Sequence, residues 1–221
     1  MQNSQLKRRF KSMFTDKKSR LVWLAVLLVG GGIWLWEDVI EDRVIPKRFG
    51  VVKEGRIYRS GQLSASLIKR TLVKYKIGVI VSLSGDSDDV DKNAERQAAA
   101  ELGIERLVFP LGGNGTGDIN NYAEAIAAIC EAQEKGNPVL VHCAAGAQRT
   151  GGVVATYRLL VEEKAPSFAL AEMKSYGWDP RDNKLLLPYI NSNMAQLAEL
   201  LCEMGVINEA PEPLPQLGPV E

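Results

Sequence analysis

Cys143 and Arg149 stand six positions apart in VHCAAGAQRTG, residues 141–151, and the only histidine of the chain, His142, directly precedes the cysteine. A thiol attacks as its thiolate, and a nearby arginine or a set of free backbone N–H groups favours that form. Arg149 offers a planar fork that matches two phosphate oxygens. The small residues Ala144, Ala145, Gly146 and Ala147, followed by Gln148, let the chain curl with its amides turned inward. Thr150 can donate a hydrogen bond from its hydroxyl to the cysteine sulfur. Together these groups form a nucleophile, an anion cradle and a charge clamp, a set suited to displacement at phosphorus through a cysteinyl-phosphate. The competing reading of the same residues is a buried strand with a structural cysteine and a glycine-softened helix start.

Other chemistries find little support. Cys130, Cys143 and Cys202 are the only cysteines, with no CxxC pair, which argues against a zinc site and a disulfide scaffold. A single histidine leaves no His/Cys metal cluster and no second imidazole to act as base for a thiol. The formal net charge is zero, so nothing draws the whole chain toward nucleic acid.

The reactive stretch needs a strand to end and a helix to begin beside it. NPVLVHC (137–143) reads as a buried strand, and Arg149–Glu163 reads as a helix. Ligands of α/β sheets bind outside the carboxyl ends of the strands, where helix N-termini favour anions. Around this unit, RFGVVKEGRIYRS (48–60) reads as a hairpin turning at Lys53-Glu54-Gly55. IGVIVSLS (77–84) and IERLVFPL (104–111) read as further strands. Helices are expected over 64–76, with Ser64 as cap, and over 88–103, 119–136, 167–176 and 184–203. The alternation predicts an α/β fold with a central, mostly parallel sheet of about four to five strands flanked by helices, spanning 45–207. The tail 208–221 is proline-rich, has no periodic pattern and is expected to be disordered.

With these elements in place, His142-Cys143-x5-Arg149-Thr150-Gly151 resembles HCxxGxxRTG, the signature of cysteine-based protein tyrosine and dual-specificity phosphatases. GRIYRSGQ (55–62) is similar to the YRSGQ entry of the atypical dual-specificity group, and bacterial exported members look most alike. The resemblance covers roughly residues 48–190. It implies a phosphatase that uses no metal or other cofactor, with Cys143 as nucleophile. Arg149 binds phosphate in this reading, and the amides of residues 144–149 form the cradle. Thr150 then helps the thiolate depart, and His142 orders the loop through hydrogen bonds rather than acting as a base.

The first step also needs a proton for the leaving oxygen. The family places an acid three or four residues after a proline such as Pro110, where this chain has Gly113 and Asn114. Some relatives carry it just before the arginine, where this chain has Gln148. Asp118, at the end of LGGNGTGD (111–118), is the remaining candidate, and it also suits the N-cap of the next helix. Without an acid, the chain would be a slow enzyme or a phosphate-binding module. GDSDDVD (85–91) lacks calcium-loop spacing and reads as a solvated loop that caps a helix. Arg59 is expected in a structural ion pair, and Cys130 and Cys202 in the core. In an oxidising compartment either thiol could pair with Cys143.

The N-terminus has its own pattern. Residues 1–20 are basic, residues 21–36 carry no charge, and acids follow. A sixteen-residue helix rises about 24 Å, somewhat short of the roughly 30 Å hydrocarbon core. The pattern predicts a single transmembrane anchor over 21–40, with a cleaved signal or a buried helix as alternatives. An anchor puts the basic segment in the cytoplasm and the catalytic domain outside it, on a bacterial inner membrane. The expected substrate is a phosphorylated protein, preferably at tyrosine. The loop between Cys143 and Arg149 has no lysine, which weighs against a polyphosphorylated lipid. A phospholipid phosphomonoester stays open.

Overall fold

The computed structural model describes residues 17–35 and 45–218. Most of the basic N-terminal segment and the end of the expected anchor lie outside them. The chain divides into two units, 1–44 and 45–221. The first holds helix α1, Lys17–Leu35. It opens on Lys17, Lys18 and Arg20, so its uncharged part, residues 21–35, rises only about 22 Å. Among the described residues no helix is long and apolar enough to cross a membrane.

The second unit is built on a five-stranded sheet. Its strands are β1 (Gly50–Lys53), β2 (Ile57–Ser60), β3 (Val79–Ser82), β4 (Glu105–Val108) and β5 (Val139–His142). They lie in the order β1-β2-β5-β3-β4. Only β1, paired antiparallel with β2 as a hairpin, breaks the parallel pattern. VLVH of β5 and VIVS of β3 are buried throughout, as strands covered on both faces must be. β5 lies between β2 and β3, with His142 level with both Ser60 and Ser82. The reactive stretch therefore leaves the sheet at its centre.

Alternation along the strands sorts the core into two layers. Val79, Val81, Val139 and Val141 face one side, with α4 (Ile119–Glu134), α5 (Gln148–Leu160), α6 (Pro166–Ser175) and α7 (Leu186–Glu203). In α7, Leu186, Ile190, Met194, Leu197 and Leu201 are buried at helical spacing. Ile80 and Leu140 face the other side, against Ile68 and Leu72 of α2 (Ile68–Lys74) and Ala98 and Ala99 of α3 (Val90–Leu102). Burying one such branched side chain contributes roughly 1.5–3 kcal/mol.

Two local readings change. Helix α2 starts at Ile68, and Ser64 does not cap it with its hydroxyl. The Ser64 carbonyl instead accepts from Leu67 and Ile68 N–H, and its Oγ lies 3.1 Å from Ser66 Oγ. The tail after 208 is irregular, yet it is anchored. Leu217 is only 1% exposed and packs into the main core, and Leu214 packs beside that core. An apolar side chain every third residue among prolines shows no helix or strand period, which hides this packing from pattern reading.

Candidate active site

The stretch after β5 runs from Cys143 to the first turn of α5. Cys143, 1% exposed, directly follows the strand, and its Sγ accepts the Gly146 N–H at 3.2 Å. Three consecutive carbonyls in this loop are held from behind. Ala144 O accepts from Gln62 N–H at 3.1 Å, Ala145 O from Arg48 Nη1 at 2.9 Å, and Gly146 O from Arg59 Nη2 at 2.9 Å. In a trans peptide the carbonyl and the next N–H point in opposite directions. Anchoring these carbonyls therefore turns the amides of Ala145, Gly146 and Ala147 the other way, and that of Gly146 points at the sulfur. Successive amides aimed at one side make an anion-binding concavity.

The donors explain why RSGQ (59–62) spans the end of β2 and the two residues after it. Gly61 approaches the loop so closely that a Cβ there would lie 3.1 Å from Ala144 O. Gly146 adopts φ +76, and its Cβ would lie 2.5 Å from Gly61 N. Both close approaches and the left-handed turn call for glycine. Arg59 is fully buried, with its guanidinium carbon 3.9 Å above the Tyr176 ring. Burial pulls it down to about 10, against the opposing pull of Glu172, Tyr176 and Cys143, so it stays charged at neutral pH. The expected ion pair for Arg59 is not what forms. Glu172 is engaged by Arg158 at 2.9 Å, and Arg59 binds a loop carbonyl and an aromatic face instead.

Helix α5 begins at Gln148 with no side-chain cap, so its first amides are open toward the loop. Arg149 is half-buried in this first turn, and its Nε meets no hydrogen-bond partner among the described residues. Thr150 is fully buried, and its Oγ1 likewise lacks one. Gln148 is engaged elsewhere, its Oε1 accepting from Asn183 Nδ2 at 2.8 Å.

The lone histidine has a partner that the sequence did not reveal. His142 Nε2 lies 3.1 Å from Glu95 Oε2, both side chains 1% exposed, at ion-pair distance though not aligned as a full hydrogen bond. Glu95 also accepts from Gln62 Nε2 and Arg106 Nε, each at 2.8 Å. Burial alone would raise the Glu95 carboxyl. Attraction to His142 and the hydrogen bonds from Arg106 and Gln62 outweigh it and hold the group at about 2. Gln62 thus reaches the loop with its backbone and the histidine's partner with its side chain. YRSGQ was the available signal for Arg59 and Gln62, whereas nothing local marked Glu95.

Asp118 is the N-cap of α4. Its Oδ1 accepts from Asn120 N at 2.9 Å and from Asn120 Nδ2 at 2.8 Å. The loop before it folds against the start of α5: a Cβ on Gly115 would meet Gln148 O at 3.3 Å, and Gly115 O accepts from Tyr122 Oη at 2.5 Å. Residues 142–150 run from the end of β5 into the first turn of α5, and Asp118 is exposed at the end of the loop 111–118. Among the described residues no group of three or more His, Cys, Asp or Glu side chains could hold a metal ion. All three cysteines are free, and burial, with Glu134 nearby, pushes the Cys130 thiol up to about 11.

Solved structures share this fold. P. aeruginosa TpbA is 24% identical, covering 72% of this chain and 91% of its own, with a TM-score of 0.56. A TpbA variant in complex with pTyr is 23% identical, covering 73% and 98%, with a TM-score of 0.55. The core catalytic domain of the S. cerevisiae PP-IP phosphatase SIW14 is 17% identical, covering 77% and 97%, with a TM-score of 0.57. Among curated protein sequences none matches the chain. The family model described as DSP-PTPase phosphatase fused to NAD+ kinase matches residues 33–184, a span that takes in the whole sheet and the loop from Cys143 to Arg149. On that match the chain belongs to this dual-specificity family of cysteine-based phosphatases.

Proposed function

We propose that the chain hydrolyses phosphomonoesters in two displacements at Cys143. The sulfur attacks phosphorus as the bond to the leaving oxygen breaks, which gives a cysteinyl-phosphate and an alcohol or phenol. Water then attacks phosphorus, releasing inorganic phosphate and the thiolate. Arg149 and the amides of residues 144–149 hold the non-bridging oxygens, Thr150 assists departure of the sulfur, and His142 orders the loop. The observation that carries this reading is the set of three anchored carbonyls, which turns the amides of residues 145–147 toward the side where Cys143 Sγ lies. Electrostatic stabilisation by donors fixed in advance commonly supplies more of the rate enhancement in such reactions than any other effect.

Asp118 is our choice for the acid that protonates the leaving oxygen, a role that requires its carboxyl to leave Asn120. A second reading, a phosphate-binding module without turnover, draws on that same cap. The preferred substrate in our reading is a protein phosphorylated on tyrosine. The pTyr complex of a TpbA variant and the absence of lysine from AAGAQ support it. The basic segment followed by an uncharged run leads us to propose that the N-terminus takes the chain to a bacterial inner membrane, with the phosphatase domain on the outer side. Carbonate extraction and protease accessibility of intact spheroplasts test that placement, and a wholly protected domain rejects it.

The deciding experiment compares p-nitrophenyl phosphate hydrolysis by the full chain and by Cys143→Ser, with reductant and without added metal. Turnover in the parent, lost in the variant together with a trapped phosphoenzyme, supports the enzyme. Phosphopeptide binding without turnover in the parent selects the binding module.

A further inference from the structure

A cavity of about 650 Å³ is walled by Trp178, Asn183, Leu187, Pro188, Asn191 and Leu217 with their neighbours. Its volume is in the range of sites that enclose a small organic ligand. One wall residue ties it to the phosphate loop. Asn183 Nδ2 donates both to Gln148 Oε1 at 2.8 Å and to Asn114 O at 2.6 Å. The cavity thus begins one side chain away from the residue that precedes Arg149.

Another part of the wall is the tail segment Gln216–Gly218, held in a particular way. Leu217 N–H donates to Asn191 Oδ1 at 2.9 Å, and Asn191 Nδ2 donates to Leu217 O at 2.8 Å. The Leu217 side chain is 1% exposed in the core behind. One amide side chain pairing both main-chain groups of a residue, while that residue's side chain fills an apolar hole, is the chemistry by which extended peptides are gripped. Most of the rest of the lining is apolar, with indole, leucine and proline surface, beside the amides of Asn183 and Asn191 and the two cations Arg181 and Lys184.

We infer that this cavity is a subsite for the peptide that flanks a phosphotyrosine, and that the tail Gln216–Gly218 is its built-in wall. The ligand is an extended segment with an apolar side chain next to the phosphorylated residue. The inference rests on the phosphatase reading for the position of the phosphate. It gives the tail a role in choosing substrates and none in bond breaking.

The test uses the full chain, two phosphotyrosine peptides that differ only in leucine or glycine flanks, a phosphatidic acid vesicle, and p-nitrophenyl phosphate. The parent is expected to favour the leucine peptide over the glycine peptide by about ten-fold or more in kcat/KM, as a filled apolar subsite allows. Asn191→Ala, and separately a chain ending at Pro215, are expected to bring that preference to within about two-fold. A parent without preference, or a preference that survives both variants, overturns the inference. A faster rate on the leucine peptide in either variant also overturns it, since the tail would then be a competitor. A preference for the vesicle that both variants abolish overturns the peptide assignment in favour of lipid. If no substrate is turned over, the phosphatase reading fails by itself. Fluorescence anisotropy of the leucine peptide on Cys143→Ser then decides: weakening of about five-fold or more by Asn191→Ala keeps the subsite, and equal affinity rejects it.

Discussion

His142 Nε2 and Glu95 Oε2 approach to 3.1 Å with both side chains almost wholly out of solvent, so the histidine before Cys143 is fixed from helix α3. Replacing Glu95 by Gln removes the carboxylate beside His142 and weakens the join to Arg106 and Gln62. The expected loss of stability is about 2–4 kcal/mol at neutral pH, read by urea unfolding. The pH dependence has a definite sign. The folded carboxyl lies near 2, below its unfolded value, so its contribution is complete above the unfolded value of 4.5 and fades as pH falls from there toward 2. The gap between parent and Glu95→Gln should therefore shrink between pH 4.5 and pH 2, and a constant gap rejects the linkage.

Arg59→Gln removes the donor that anchors the Gly146 carbonyl and the buried positive charge beside the loop. Phosphate and vanadate should bind roughly ten-fold more weakly, with kcat/KM falling by about ten- to a hundred-fold. Inhibition constants for vanadate measure the first quantity. Unchanged vanadate affinity in a folded variant would show that the loop keeps its shape without this contact.

Gly146→Ala puts a Cβ against the backbone of Ser60 and Gly61 at a residue with φ +76. The strain alone is worth roughly 1–3 kcal/mol, and relief by moving the loop would misdirect its amides. The expected result is a lower melting temperature together with loss of turnover. A fully active, equally stable variant would contradict the packing described.

Asp118→Asn separates acid from cap, because asparagine caps helices as well as aspartate does. Stability should stay within about 0.5 kcal/mol of the parent. Hydrolysis of p-nitrophenyl phosphate should change little, since its leaving group needs no proton. Phenyl phosphate and phosphotyrosine peptides should lose about a hundred-fold or more. Equal rates on all of them would assign Asp118 to the helix alone.

Much of this arrangement was legible in the chain itself. The alternation of apolar runs and helical periods predicts each of the five strands, and VHCAAGAQRTG points to the family whose model matches the chain. What stayed hidden depends on contacts across long separations. Arg59 meets Gly146 from 87 positions away, and Arg48 meets Ala145 from 97. Periodicity reports only which face a residue presents, so Glu95, one more acid on a charged helix, carried no mark of its buried histidine. Leu217 escaped for a similar reason: its partner Asn191 lies 26 positions away in α7, and its own neighbours Gln216 and Gly218 carry no apolar period.

The anchored carbonyls have a consequence for how the loop meets its ligand. With Ala144, Ala145 and Gly146 fixed through Gln62, Arg48 and Arg59, the ordering of the amides is completed in folding, before any anion arrives. Association then has to strip water from the phosphate and little else, and calorimetry showing a large ordering entropy would contradict this. Backbone amides read only the phosphate oxygens and are blind to what the phosphate is attached to. Discrimination between one phosphoester and another must therefore come from surfaces beyond the loop.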